Sequence, residues 1–345
     1  MLTKVRLNEK TGLPEGYTTR PVTMQDLEAC VATINAAYRE LKGVAILTPD
    51  QFGPDWQTPG FNLETDARLV MAPDGEIAGY YEVWDLLKPS VRVSVWGLTH
   101  PQHRNMGIGS YLLHWAEERA WLAVERAPQD ARVIIQSNIP TINQAAGELF
   151  MDCGYRMIRH SLRMVIDIND EPPQPQWPAG LTNRTFKVGE DEVGVTMAVR
   201  EAFQDHWGYV EVPFEEDLER WKHRVETDPD FDPSLWFLAM DGDEIAGLSL
   251  CRAKIYDDPE MGWVGTLGVC RAWRRKGLGL ALLHHSFQAF YNRGKPRAGL
   301  GVDAQSLTGA TRLYERAGMK PDPARQFDLY EKELRPGVEL STQTA

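Results

Sequence analysis

The sequence predicts an α/β protein made of two tandem copies of one domain, each with a mixed, mainly antiparallel sheet flanked by helices. The chain has 345 residues, which is more than one core usually holds. Three pairs of similar segments recur in the same order along it. Within each copy, patterns typical of strands alternate with patterns typical of helices.

The repeat is carried by three pairs of glycine-containing segments. The two members of each pair are about 164 to 170 positions apart, and such near-constant spacing indicates duplication of a whole domain. The pairs are DGEIAG at 74–79 with DGDEIAG at 241–247, WGLTHPQHRNMGIG at 96–109 with TLGVCRAWRRKGLG at 266–279, and LFMDCGY at 149–155 with LYERAGM at 313–319.

A proline-rich segment separates the copies. Residues 170–178 (DEPPQPQWP) contain four prolines, which is typical of a semi-rigid extended linker. We therefore place domain 1 at 15–168 and domain 2 at 180–335. The polar tail that follows, residues 336–345, is expected to be loose.

The residue pattern predicts the same order of elements in each copy. The order is a short strand, a helix, a β-hairpin, a further strand, a glycine-containing loop, an apolar helix, a strand, a short helix and a last strand. Turn residues at 73–75 and 241–242 mark the hairpins. The helix after the second loop carries Leu280, Leu282, Leu283 and Phe287 on one broad face. The other predicted elements are strands at 17–20, 90–98, 132–136, 181–185, 236–240, 245–250, 263–269 and 297–302, and helices at 24–40, 143–152, 192–203 and 309–317.

Charge and composition exclude several classes of protein. With 49 acidic and 37 basic residues the formal charge is −12, which disfavours nucleic acid as the main partner and is compatible with a cationic small molecule. The N-terminal MLTKVRLNEKTG has no apolar core of a signal peptide, and no stretch is apolar enough to cross a membrane. The four cysteines lack metal or disulfide spacing. We expect a cytoplasmic protein without metal.

The segment RRKGLG at 274–279 has the composition of an anion-binding loop. Gly277 and Gly279 let the backbone approach a ligand closely, and the unpaired amides at the start of the next helix favour a negative charge. Arg274, Arg275 and Lys276 add positive charge at the same place. A pyrophosphate is the expected ligand, and RNMGIG at 104–109 repeats the pattern in domain 1.

Both copies resemble the GNAT superfamily of N-acetyltransferases, whose pyrophosphate loop reads Arg/Gln-x-x-Gly-x-Gly/Ala. The tandem arrangement with an active C-terminal half resembles the mycothiol synthase-like members. The resemblance implies acetyl-CoA as co-substrate, bound in domain 2 by the backbone of Leu267, Gly268 and Val269 and by the loop. It implies the same role for part of domain 1. The implied loop residues are Arg274, Arg275, Lys276, Gly277, Leu278, Gly279 and Leu280, with Leu98, Arg104, Gly107 and Gly109 as their domain 1 counterparts.

The resemblance also implies a catalytic acid. In the family motif Leu-Tyr-x-x-x-Gly-Phe, which reads LYERAGM from Leu313, the tyrosine protonates the departing thiolate, and this role falls on Tyr314. Domain 1 has Phe150 at the equivalent position, so we expect it to be degenerate. Catalysis there through Tyr155, or with water as the acid, stays open.

The base and the acceptor site follow less directly. No carboxylate occupies the strand at 263–269, and Glu260 lies just upstream of it. The segment after the first helix of domain 2 offers His206 as a proton acceptor, Asp205 or Glu211 for a cationic acceptor, and Trp207 and Tyr209 as an aromatic wall. His284 and His285 are interpreted as surface or packing residues.

Together these patterns predict an enzyme that transfers an acetyl group from acetyl-CoA to a primary amine of a small molecule, with domain 2 active. Two alternatives stay open, a catalytically inactive CoA-binding regulatory protein and a protein or peptide N-acetyltransferase. The sequence also leaves open whether the protein is a monomer or a homodimer.

Overall fold

The computed structural model describes residues 12–305 and 309–343. The N-terminal segment, for which no signal peptide is predicted, therefore lies almost wholly outside the described residues. The chain forms two compact units. Unit 1 contains the described residues as far as Ile158 together with Phe327–Leu340, and unit 2 contains Arg159–Gln326 together with the described residues from Ser341 onward.

Unit 1 is an α/β structure whose strands follow the predicted order. Its helices are α1 (Leu27–Lys42), α2 (Pro49–Trp56), α3 (Leu63–Asp66), α4 (Ile108–Arg126) and α5 (Gln144–Asp152). Its strands are β1 (Thr18–Pro21), β2 (Ala67–Met71), β3 (Ile77–Trp84), β4 (Arg92–Thr99), β5 (Val133–Pro140) and the start of β6 (Arg156–Asp167).

Unit 2 repeats this plan. Its helices are α6 (Glu192–Phe203), α7 (Phe214–Thr227), α8 (Leu278–Asn292) and α9 (Ala310–Arg316). Its strands are most of β6, β7 (Thr182–Thr185), β8 (Trp236–Asp241), β9 (Glu244–Arg252), β10 (Met261–Val269), β11 (Arg297–Asp303) and the first part of β12 (Lys320–Arg335).

Each sheet is mixed and mainly antiparallel, which confirms the predicted fold class. In unit 1, β1, β2, β3 and β4 pair antiparallel in that order and β4 then pairs parallel with β5. In unit 2, β7, β8, β9 and β10 form the matching antiparallel series and β10 pairs parallel with β11.

The last strand of each sequence half belongs to the other half's unit. Phe327–Arg335 of β12 pairs antiparallel with β5 of unit 1. Ser161–Asp167 of β6 pairs antiparallel with β11 of unit 2. The two units therefore differ from a division of the chain at the proline-rich linker, because each is completed by a strand from across that linker.

The core of unit 2 explains why α8 forms where it does. Leu283, Phe287 and Phe290 point from one face of α8 onto Val264 and Leu300 of the sheet. Leu282 is also fully buried, and Leu280 is partly buried against the same core, so the four residues of the predicted apolar face all pack inward. His285 packs edge-on against Phe237, with ring centroids 4.5 Å apart, which agrees with a packing role.

Helix α7 is absent from the sequence predictions. None of its residues is fully buried and most are charged or polar, although Phe214, Leu218, Trp221 and Val225 recur at helical spacing. Trp221 and Val225 nevertheless pack against the core cluster under α6. Among the described residues, no helix is both long and apolar enough to cross a membrane.

Candidate active site

A gap in strand pairing opens the sheet of unit 2. β10 pairs with β11 only from Met261 to Val264, but it continues along β9 as far as Val269. The register shifts at Gly265, where a bulge turns the strand. Residues 265–269 of β10, which we call the open edge, therefore have no β11 partner on their other side.

A cleft of about 760 Å³ lies along the open edge. It brings together most of the residues predicted for this site. Those that line it are Asp205, His206, Leu267, Gly268, Val269, Arg274, Arg275, Gly277, Leu278, Gly279, Leu280 and Tyr314. Lys276, Trp207 and Tyr209 are also described by the structure but are not part of the lining.

The loop before α8 presents backbone amides to the cleft. Arg275 and Gly277 both have left-handed backbone angles, with φ of 61° and 89°, so the chain turns sharply into the helix. The first helical hydrogen bond runs from the Ala281 amide to the Gly277 carbonyl. The amides of residues 278–280 therefore precede the helical ladder and favour an anion, as predicted for this loop.

Gly279 permits close packing at this point. A Cβ there would lie 3.1 Å from Leu313 Cδ2 on α9. Glycine therefore allows α8 to approach α9, the helix that carries Tyr314.

The Arg274 guanidinium is bound to protein groups and points toward the end of α6. Its Nη2 donates to the Ala202 carbonyl at 2.9 Å, and its Nε donates to the Val269 carbonyl at 3.0 Å. Both of its terminal nitrogens contact the Asp205 carboxylate. Hydrogen bonding to Arg274 holds the pKa of Asp205 below its usual value, so this carboxylate is already paired.

Tyr314 lies on α9 and lines the cleft. Its side chain is 8% exposed and packs in the core cluster with Leu283 and Met319. Burial raises the pKa of its phenol to about 12, so the group stays protonated at neutral pH. Within the described chain, no hydrogen bond to another residue occupies the hydroxyl, which leaves its proton available for a ligand.

His206 lines the same cleft just after α6. Its ring packs edge-on against Phe203, with centroids 4.6 Å apart. Burial lowers the pKa of His206 below its usual value, so the imidazole is neutral at pH 7. A neutral imidazole can accept a proton.

The aromatic residues after His206 have partners of their own. The Arg159 guanidinium lies over the Trp207 ring, 4.4 Å from its centroid, and also pairs with Asp303 at 3.0 Å. Asp303 lines the cleft at the end of β11. Residue spacing around β10 and in the segment after α6 did not indicate this carboxylate, because Asp303 lies at the end of a different strand. Glu260, the upstream candidate, is not among the lining residues.

Unit 1 has a smaller cleft at the equivalent place, with a volume of about 250 Å³. Leu98, Arg104, Gly107 and Gly109 all line it, as predicted by the repeat. Asn105 and Gly107 repeat the left-handed angles of the unit 2 loop, with φ of 60° and 83°. Arg104 pairs with Glu40 near the end of α1 at 2.6 Å, which parallels the contact between Arg274 and Asp205.

The unit 1 cleft has no phenol at the position equivalent to Tyr314. Phe150 lines the cleft there. Tyr155, the alternative acid, is 3% exposed and packs edge-on against Phe150, with centroids 4.8 Å apart, outside the lining. Burial raises the pKa of Tyr155.

Within residues 12–305 and 309–343, no three His, Cys, Asp or Glu side chains are grouped so that they could hold a metal ion.

Comparison with known proteins identifies the family. The profile of the Acetyltransferase (GNAT) family matches residues 36–155 and 196–319. The mycothiol acetyltransferase of Streptomyces scabiei is 29% identical over 81% of this chain and 82% of its own length. The crystal structure of a GCN5-related N-acetyltransferase from Sphaerobacter thermophilus is 36% identical, with a TM-score of 0.75 over 96% of this chain and all of that one.

A tandem GNAT protein from the clavulanic acid biosynthesis pathway shares the fold at 15% identity, with a TM-score of 0.66 over 93% of this chain and all of that one. The two profile matches fall on the two copies of the repeat, and each contains a cleft beside a glycine-containing loop that leads into a helix. The chain therefore belongs to the GNAT family and is an acetyl-CoA-dependent N-acetyltransferase with two copies of the family's domain.

Proposed function

We propose that unit 2 transfers the acetyl group of acetyl-CoA to a primary amine of a small-molecule acceptor by direct attack. One observation carries this proposal: the amides of α8, the open edge and the Tyr314 phenol all face one cleft. In unit 1 the first two features recur, but phenylalanine replaces the phenol. We therefore assign catalysis to unit 2 and a non-catalytic role to unit 1.

The proposed binding mode uses the backbone amides at the start of α8, the Arg275 side chain and the open edge. The amides of residues 278–280 would hold the diphosphate, helped by the Arg275 side chain at the cleft wall. The open edge would run along the pantetheine part, since Leu267, Gly268 and Val269 line the cleft. Amide donation from this edge to the thioester oxygen would stabilise negative charge as it develops there.

The reaction requires two proton movements. The amine nitrogen bonds to the thioester carbonyl carbon while the carbon–sulfur bond breaks. One proton leaves the attacking nitrogen, and one reaches the thiolate sulfur. We assign the first to His206, whose imidazole is neutral at pH 7, and the second to Tyr314, whose phenol is protonated.

The acceptor would enter past the segment 203–210, which we call the acceptor loop. The relatives named mycothiol acetyltransferases favour a small molecule as the acceptor. Among the described residues, two carboxylates line the cleft, and each is already part of an ion pair, Asp205 with Arg274 and Asp303 with Arg159. Asp205, Trp207 and Tyr209 then shape the acceptor loop, and we propose that they set its specificity through the loop's conformation.

Thiol release from acetyl-CoA tests the proposal, with tyramine, spermidine, glucosamine and phenylalaninamide as acceptors. Tyr314→Phe should lower kcat about 10- to 100-fold with the KM for acetyl-CoA little changed, because only the proton donor is lost. The matched change Phe150→Tyr in unit 1 should leave turnover unaltered. Equal turnover of wild type and Tyr314→Phe from pH 6 to 9 would remove Tyr314 from the mechanism. Absence of thiol release with every amine would favour a CoA-binding regulatory protein.

A further inference from the structure

The last described residues of the chain are bonded to the acceptor loop. We call residues Ser341–Gln343 the C-terminal strap. The Gly208 amide donates to the Thr342 carbonyl at 2.7 Å, and the Thr342 amide donates to the Tyr209 carbonyl at 2.8 Å. The Thr342 hydroxyl donates to the Gln204 carbonyl at 3.0 Å. One residue of the strap therefore contacts the loop at three places.

These bonds reach both ends of the turn that contains His206. Gln204 is the C-cap residue that follows α6, and carbonyls at the end of a helix lack helical partners. Gly208 and Tyr209 lie just beyond His206 in a left-handed turn, with φ of 78° at Gly208. The turn has two backbone bonds of its own, from the His206 amide to Phe203 and from the Tyr209 amide to His206. Thr342 is therefore bonded to residues on both sides of His206, which is proposed as the base.

The strap is itself ordered by local contacts. Ser341 is 6% exposed, which is low for a residue near a polar chain terminus. The Gln343 side-chain amide donates to the Ser341 hydroxyl at 2.8 Å. The expectation of a loose tail is therefore wrong for these residues, since paired backbone groups and burial fix the strap in place.

The strap and the coenzyme loop, which comprises residues 274–279, have mostly separate anchors. Arg274 pairs with Asp205 of the acceptor loop, but it also binds the Ala202 and Val269 carbonyls, which lie outside that loop. In the described chain, the three bonds made by Thr342 all end on the acceptor loop. Loss of the strap should therefore change the acceptor loop, while the two anchors of Arg274 outside it keep the coenzyme loop in position.

We propose that the C-terminal strap positions the acceptor loop for amine binding and that Thr342 is its positioning residue. This inference rests on the proposed function, in which His206 and the acceptor loop face the amine. Its consequence is that the acceptor step of the reaction depends on the last residues of the chain, although these residues are distant from the loop in sequence.

The test uses the full chain, a form truncated after Leu340, and the variants Thr342→Pro and Thr342→Ser. Proline removes the amide donor and the hydroxyl, whereas serine keeps both. The truncated form and Thr342→Pro should lower kcat/KM for the amine about 5- to 20-fold, as expected for loss of two or three hydrogen bonds, with the KM for acetyl-CoA within about twofold. Thr342→Ser should match the wild type. The four amines named above serve as probes.

Hydrogen exchange provides an independent readout. In the truncated form and in Thr342→Pro, amides of residues 204–209 should exchange faster, while those of α8 should not change. A parallel rise in the KM for acetyl-CoA, or unchanged kcat/KM for the amine, would overturn the proposal. If the wild type acetylates none of the amines, the proposed function fails, and exchange alone decides on the strap. Unchanged exchange at 204–209 then refutes it as well.

Discussion

Arg274 and Asp205 form a two-point ion pair, with Nη1 2.5 Å from Oδ2 and Nη2 3.2 Å from Oδ1. The sequence placed these residues on different ligands, the arginine on a diphosphate and the aspartate on a cationic acceptor. In the structure they bind each other, and Arg274 also holds the carbonyls at the ends of α6 and β10. The pair is therefore a brace between the two loops of the cleft.

The brace predicts coupled effects of substitution. Arg274→Gln and Asp205→Asn should each raise the KM for acetyl-CoA about 3- to 10-fold, because each releases the loop that precedes α8. In the double variant, the KM for acetyl-CoA should be no higher than in the more affected single variant, since all three forms lack the same ion pair. Kinetics with calorimetric binding of CoA would measure this. Tighter CoA binding in Asp205→Asn would contradict it and show that the freed guanidinium contacts the coenzyme.

A matched pair of variants tests which unit supplies the coenzyme site for catalysis. Arg275 and Asn105 occupy equivalent left-handed positions, with φ of 61° and 60°. Arg275→Glu places a carboxylate beside the amides of α8, so repulsion should raise the KM for acetyl-CoA at least about 10-fold at low salt. Asn105→Glu makes the same change at α4 and should not alter the KM for turnover. Loss of activity in Asn105→Glu alone would reverse the assignment of the two units.

The local features of this protein could be predicted from sequence, and the long-range ones could not. The loop at 274–279 and the helix after it follow from glycine and leucine spacing within a few residues, and the structure has both. The partner of Asp205 lies on another loop, so no spacing in its own segment indicated Arg274. Likewise, Asp303 enters the cleft only because β11 separates from β10 after Leu300.

The exchanged strands show the same limit. The repeated order of elements predicts a last strand in each copy, but it does not indicate which sheet that strand joins. The pairing of Phe327–Arg335 with β5 is set by tertiary contacts. These contacts include side-chain packing across the sheet, for example between Tyr330 and Phe150, whose ring centroids are 5.9 Å apart.

Strand exchange predicts that the sequence halves do not fold alone. Residues 1–168 and 169–345, expressed separately, should each give aggregated or unfolded protein, because β5 and β11 would both lose an antiparallel neighbour and expose an edge. Coexpression should restore a soluble complex. Circular dichroism and gel filtration of the two fragments would check this. A cooperative thermal transition in either isolated fragment would contradict it.

Glu82 gives unit 1 a predicted pH dependence of stability. Glu82 is 6% exposed, and its carboxylate accepts a hydrogen bond from the Tyr80 hydroxyl, which in turn accepts one from Trp56 Nε1 at 2.9 Å. Burial raises the pKa of Glu82 from 4.5 to about 7, although its hydrogen bonds act in the opposite direction. The folded state therefore holds this proton more tightly than the unfolded state does.

Because the pKa is raised on folding, the stabilising contribution is complete below about pH 4.5 and is lost as the pH rises through 7. The change across this window is on the order of 3 kcal/mol.

The variant Glu82→Gln has a neutral side chain at every pH in this range. Its free energy of unfolding should therefore exceed that of the wild type by an amount that grows as the pH rises from 5 to 8. Urea denaturation at four pH values would measure the difference, with Tyr80→Phe as a second variant. Tyr80→Phe removes a bond that favours the ionised form, so it should raise the pKa of Glu82 further and extend the window to higher pH. A difference between wild type and Glu82→Gln that stays constant from pH 5 to 8 would show that Glu82 is ionised in the folded protein.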